Sequence, residues 1–100
     1  MATFKDILTK DDKPVLVDFW AEWCGPCHAL APTIKQVKQH YGERLRVLKI
    51  DIDKNQQLSA QYQIQSVPTL VLFKDGAPVW RQSGALPLGA ITQVVDQHVG

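Results

Sequence analysis

The most constraining stretch of this sequence is Val15-Leu16-Val17-Asp18-Phe19-Trp20, in which the side chains are apolar or aromatic except for the carboxylate of Asp18. A strand with one wet face alternates polar and apolar residues. This run does not alternate, which is the pattern of a strand buried on both faces in a parallel sheet. Such a strand needs cover on both sides, so the run predicts an α/β chain. It also commits Asp18 to a place where ionisation is costly, which should raise its pKa. Just beyond it lies Trp23-Cys24-Gly25-Pro26-Cys27, which holds the only two cysteines of the chain.

With 100 residues, 45% of them apolar, the chain furnishes one core and is expected to be one domain, residues 1–100. Lys and Arg number 11 against 10 Asp and Glu, a formal charge of +1 with no basic run, which argues against an electrostatic nucleic-acid or membrane surface. No apolar run approaches the roughly 20 residues of a membrane span, and the N-terminus lacks the basic-then-apolar layout of a secretion signal. The expectation is a cytoplasmic protein. A disulfide scaffold is a poor explanation of the cysteines, since so short a ring restricts the unfolded chain little. Structural zinc wants four ligands, and His28, His40 and His98 are widely spaced, so no metal is expected. What remains is reversible two-electron exchange with another disulfide.

The other segments support an alternating arrangement. Thr3 and Asp6 have capping-box spacing at the head of a short helix to Thr9, with Phe4, Ile7 and Leu8 on one face. A long helix is expected from Pro26 to Tyr41, ending at Gly42, with the stripe Cys27, Leu30, Ala31, Ile34, Val37 and Tyr41 and a kink at Pro32. A strand follows over Arg46–Ile52, then a short helix capped by Asn55 and reaching Tyr62. Leu70-Val71-Leu72-Phe73 reads as an apolar strand, Asp75-Gly76 as a hairpin turn, and Val79–Ser83 as an edge strand because of Pro78. Leu88, Ile91, Val94, Val95 and Val99 give a closing amphipathic helix. The sum is a mixed central sheet of about four strands flanked by helices.

On the residues Val17-Asp18-Phe19, Trp20-Ala21-Glu22-Trp23-Cys24-Gly25-Pro26-Cys27, Ala31-Pro32, Lys49, Val67-Pro68-Thr69, Asp75-Gly76 and Gly84-Ala85, the chain resembles the thioredoxin family over most of its length. The resemblance implies the thioredoxin fold and a small oxidoreductase and electron carrier. It would reduce disulfide-containing protein substrates and be recycled by a thioredoxin reductase, with no cofactor. A disulfide oxidase or isomerase of the same fold, or a non-redox partner-binding module, is the alternative. Two departures stand out. Family members usually carry about ten further N-terminal residues forming an edge strand, roughly one strand length. Without it Arg46–Ile52 becomes an uncovered edge, which leaves an edge-strand dimer open beside the expected monomer. The second is His28, where the family commonly has lysine or arginine.

The individual residues then acquire expected roles. Cys24 sits at the mouth of the long helix, outside its buried stripe, where free N–H groups and the helix dipole favour a thiolate; it is the expected exposed nucleophile. Cys27, on the buried stripe, is the expected resolving thiol. Pro26 suits a first helical turn and, with Gly25, limits the separation of the sulfurs; by resemblance this dipeptide belongs to reducing members. Asp18 is expected to take the proton of Cys27 through water, and Lys49 on a neighbouring strand to pair with Asp18 and tune it. By resemblance Pro68 should follow a cis bond and pack on the disulfide, freeing the Val67 backbone to pair with an extended substrate. Trp23, Val67, Pro68, Gly84 and Ala85 are expected to form an apolar rim around Cys24. Trp20 fits either that rim or the core. Trp80 is expected to pack across strands, and His28 to tune the surface.

Overall fold

A computed structural model describes residues 2–99. Val15–Trp20 forms β1, and it lies inside the sheet as its unalternating pattern predicts. It pairs in parallel with β2 (Arg46–Asp51) and antiparallel with β3 (Thr69–Lys74), which in turn pairs antiparallel with β4 (Ala77–Ser83). The strand order is β2-β1-β3-β4, so β2 and β4 are the edges.

Period-two alternation sorts the side chains of β1 between two cores. Leu16, with Leu70 and Leu72 of β3, packs under α2 (Gly25–Tyr41) and α4 (Leu88–Val95) through Leu30, Ile34, Val37, Tyr41, Ile91 and Val95. Val15, Val17 and Phe19, with Val71 and Phe73, pack under α1 (Phe4–Thr9) through Phe4 and Leu8, and under Tyr62 and Ile64, which follow α3 (Gln56–Gln61). Asp18 therefore shares the α2 face with Leu16 and Trp20. Tyr41 ties the two helices on that face: its hydroxyl donates to Asp96 Oδ1 at 2.7 Å and lies 3.2 Å from the Thr92 carbonyl. Burial, and then that hydrogen bond to the Asp96 carboxylate, push the phenol up to about 12.

Local signals explain most boundaries. Thr3 Oγ1 accepts the Asp6 N–H at 3.1 Å while Asp6 Oδ2 accepts the Thr3 N–H at 3.0 Å, the reciprocal bonds of a capping box. Asp75 and Gly76 have φ of 53° and 82°, the pair of positive values that a two-residue hairpin turn needs to match strand twist. A Cβ on Gly76 would come within 2.9 Å of Thr9 Cγ2, so the hairpin also packs against the end of α1. Pro78 stands opposite Phe73 beside a register shift on the outer strand, where its missing N–H costs no ladder bond. Trp80 faces Leu72 across β3 and β4 and packs on the α2–α4 core, the cross-strand role expected of it.

Two local expectations need correction. Asn55 precedes α3 but does not cap it with its side chain: at φ −136° and ψ 57° its backbone is outside the extended region of a capping residue, and its Nδ2 donates back to the Asp51 carbonyl at 3.0 Å. The Arg46 strand ends at Asp51 rather than Ile52, because the Ile52 N–H is the last to bond β1, at the Trp20 carbonyl. Through Pro32, which has no N–H for the His28 carbonyl, α2 continues as one helix. No helix among the described residues is long and apolar enough to cross a membrane.

Candidate active site

The end of β1 and the start of α2 are joined by a short turn in which the Cys24 N–H donates to the Ala21 carbonyl at 3.2 Å. Cys24 becomes the N-cap of α2, with extended backbone (φ −92°, ψ 108°), and its Sγ accepts the N–H of Cys27 at 3.1 Å. A sulfur thus occupies the place that a serine or aspartate oxygen takes in an ordinary cap. An anionic sulfur there gains more than a neutral one, because the remaining free N–H groups and the positive end of the helix act on it. Cys24 and Cys27 are joined as a disulfide, with Cα atoms 5.3 Å apart.

The expected difference in exposure between the two cysteines is not what separates them. Each is 4% exposed, and both pack with Ala21 under Trp20, Ile52 and Val67. The cover over Cys24 comes from distant segments that a helical stripe cannot register. What distinguishes the sulfurs is electrostatic: that of Cys24 receives the helix N–H.

Val67, joined to Pro68 by a cis peptide bond, forms one wall of the site, and its carbonyl oxygen lies 3.6 Å from Cys24 Sγ. Gly84, at φ +105° where a side chain would be strained, donates its N–H to the Pro68 carbonyl at 2.9 Å and so brings the Gly84-Ala85 segment beside that wall. Ala85 is exposed there, as are Gly25 and Pro26 on the first turn of α2. Trp23 is 70% exposed, with its indole N–H held by Asp53 Oδ2 at 2.9 Å. Sequence reasoning gave no sign of Asp53, which needs the β2-to-α3 turn to fold back toward the cysteines.

Asp18 is 1% exposed, and its Oδ1 has no hydrogen-bond partner. Burial raises its pKa to about 6, against the opposing pull of the Lys49 charge. Lys49 is the register partner of Asp18 across β1 and β2, yet it does not form the expected ion pair. Its ammonium lies 4.4 Å from the centroid of the Trp20 ring, a cation–π contact that leaves the charge at the half-wet edge of the sheet. Trp20 therefore belongs to the site: it covers the cysteines, holds Lys49, and meets the His28 ring edge-on at 6.2 Å. His28 Nε2 lies 2.7 Å from the Glu22 carbonyl and so carries the hydrogen. Among the described residues no group of His, Cys, Asp and Glu side chains is arranged to hold a metal ion.

A vicinal pair of sulfurs at a helix mouth, with a buried carboxyl on the same sheet face, fits dithiol–disulfide exchange. The comparisons agree. The family model described as Thioredoxin matches residues 1–97. The chain is 43% identical over 98 residues to Thioredoxin 1 of Synechococcus elongatus, covering 98% of this chain and 92% of that protein. It is 50% identical over 98 residues to a thioredoxin-like protein of Synechocystis, covering 98% and 93%. Among solved structures, a thioredoxin variant of Halobacterium salinarum superposes with a TM-score of 0.87 at 36% identity, over 96% of this chain and 82% of that one. The thioredoxin of Fasciola hepatica does so with a TM-score of 0.87 at 30% identity, over 94% and 89%.

Proposed function

Because the chain belongs to the thioredoxin family, we propose that it works as a reductant of protein disulfides, with Cys24 as nucleophile and Cys27 as resolving thiol. The observation that carries this assignment is the N–H of Cys27 aimed at Cys24 Sγ at the N-terminus of α2. In the reduced protein the Cys24 thiolate attacks one sulfur of a substrate disulfide; the substrate S–S bond breaks, and the departing thiolate takes up a proton. Cys27 then gives its proton to the Asp18 carboxylate, attacks Cys24 Sγ, and expels the second substrate thiolate, which is protonated in turn. Counted from the Cys24 thiolate, the protein gives up two electrons and, once Asp18 passes on the proton it took from Cys27, one proton, and the substrate takes its second proton from the solvent. An external dithiol must return the electrons, and a thioredoxin reductase is the partner this reading implies, in a reducing compartment such as the cytoplasm.

Asp18 suits the proton-accepting role because a carboxyl titrating near 6 is ionised at neutral pH yet is not a negligible base. Lys49 tunes it by charge alone. Trp23, Gly25, Pro26, Val67, Pro68, Gly84 and Ala85 form the docking rim, where the Val67 backbone offers hydrogen bonds to an extended segment. The working unit is a monomer, with the β2 edge as the route by which a second copy would pair. The test is the equilibrium reduction potential of the pair against glutathione or a reference dithiol. A reductant lies near the value characteristic of thioredoxins, about −270 mV, and a potential near that of disulfide-forming proteins, about −120 to −180 mV, would select the oxidase or isomerase reading.

A further inference from the structure

Three hydroxyls join the two loops of the rim. Thr69 Oγ1 lies 2.7 Å from the Ser66 carbonyl, Ser83 Oγ lies 2.8 Å from Thr69 Oγ1, and Ser66 Oγ lies 3.2 Å from Ser83 Oγ. A hydroxyl has one hydrogen to give and two lone pairs to accept with. The Ser66 carbonyl can only accept, so the hydrogen of Thr69 is spent on it. Ser83 must then donate to Thr69, and Ser66 to Ser83. The ring closes in one direction only, Ser66 to Ser83 to Thr69 to the Ser66 carbonyl. Its consequence falls on Ser66 Oγ, which has given its hydrogen away and accepts nothing from the ring. Ser66 is exposed and directly precedes Val67, whose carbonyl lies 3.6 Å from Cys24 Sγ.

We propose that Ser66 is a specificity-determining residue of the docking rim, an acceptor-only hydroxyl that favours disulfide segments with a hydrogen-bond donor beside the attacked half-cystine. This rests on the proposed reduction of protein disulfides. Thr69 and Ser83 are positioning residues: they fix the direction of the ring and hold the Ser66 loop against the Gly84 loop. A lysine or arginine side chain flanking the half-cystine matches the Ser66 lone pairs. A glutamate presents only acceptors to them and is disfavoured. One such hydrogen bond corresponds to a selectivity of about two- to tenfold.

The experiment uses two peptide disulfides that differ by lysine or glutamate beside the attacked half-cystine, with kcat/KM measured for each on the wild type, Ser66→Ala, Ser66→Thr and Ser83→Ala. Comparing the peptide ratio between variants of equal charge removes the influence of Lys49, Glu22 and Asp53. The lysine-to-glutamate ratio should fall by about two- to tenfold in Ser66→Ala and be retained in Ser66→Thr. It should also fall in Ser83→Ala, because the freed Ser66 hydrogen can then serve an acceptor. The reduction potential should be the same in all four proteins. A ratio unchanged in Ser66→Ala overturns the proposal, as does a ratio that falls in Ser66→Ala but not in Ser83→Ala. If the wild type reduces neither peptide, the failure lies with the proposed function; if it reduces both and the ratios are equal across variants, it lies with Ser66 alone.

Discussion

Asp18 and Lys49 face each other in register across β1 and β2, yet the lysine ammonium rests over Trp20 and the carboxylate is left without a hydrogen-bond partner on Oδ1. The arrangement keeps the carboxyl pKa high. A salt bridge would have returned it to the ordinary range or below it. Asp18 is raised from 3.8 to about 6, so the folded state binds its proton more tightly than the unfolded chain does. The stabilisation from that protonation is present below pH 4 and is lost as pH rises through 6. Two pKa units correspond to about 3 kcal/mol. Replacing Asp18 with asparagine should therefore stabilise the oxidised protein at pH 8, relative to its effect at pH 4, by an amount of that order. Urea unfolding at the two pH values measures it, and an equal effect at both would show that Asp18 titrates normally.

Removing the charge that opposes desolvation should move the carboxyl further. In Lys49→Met the Asp18 pKa should rise above about 6, and carboxyl-carbon NMR titration reads it directly. An unchanged value would mean that the ammonium over Trp20 is too well solvated to be felt. The same variant should slow release of the second substrate thiol near neutral pH, because less Asp18 is ionised.

Tyr41→Phe removes a hydroxyl from a residue that is 2% exposed and leaves the packing of α2 on α4 in place. The loss of its bond to Asp96 should cost about 1 to 2 kcal/mol in equilibrium unfolding. The reduction potential should not move, since Tyr41 lies at the far end of α2 from Cys24. A shifted potential would show that the two ends of the helix are coupled.

His28 clasps the loop that carries Cys24 by donating from Nε2 to the Glu22 carbonyl. His28→Ala should speed amide hydrogen exchange at Cys24, whose N–H bonds the Ala21 carbonyl, by severalfold, while exchange in β1 and β3 stays unchanged; equal rates in the two proteins would contradict the clasp.

The order of strands and helices was legible because each depends on a local pattern: the unbroken β1 run, the α2 stripe, the Asp75-Gly76 turn and the Thr3 cap each act within a few residues. The burial of Asp18 was legible for the same reason. What the sequence could not convey were relations between segments. Cys24 is covered by Val67 and Ile52, which lie 43 and 28 positions away, so its burial left no trace in the helical spacing. Lys49 lies beside Asp18 as expected, but its turn toward Trp20 depends on where three elements meet. The ring of Ser66, Thr69 and Ser83 exists only because Thr69 and Ser83 are register partners of β3 and β4.

The central claim is that two cysteines equally buried in the disulfide form act unequally, because the Cys24 sulfur receives the Cys27 N–H at the mouth of α2. Its most direct test is mass-spectrometric mapping of the mixed disulfides formed when Cys27→Ser and Cys24→Ser are each mixed with a disulfide-bonded protein. Mixed disulfides should accumulate on Cys24 in the first variant, with little on Cys27 in the second. Comparable adducts on both, or adducts on Cys27 alone, would contradict the assignment of nucleophile and resolving thiol.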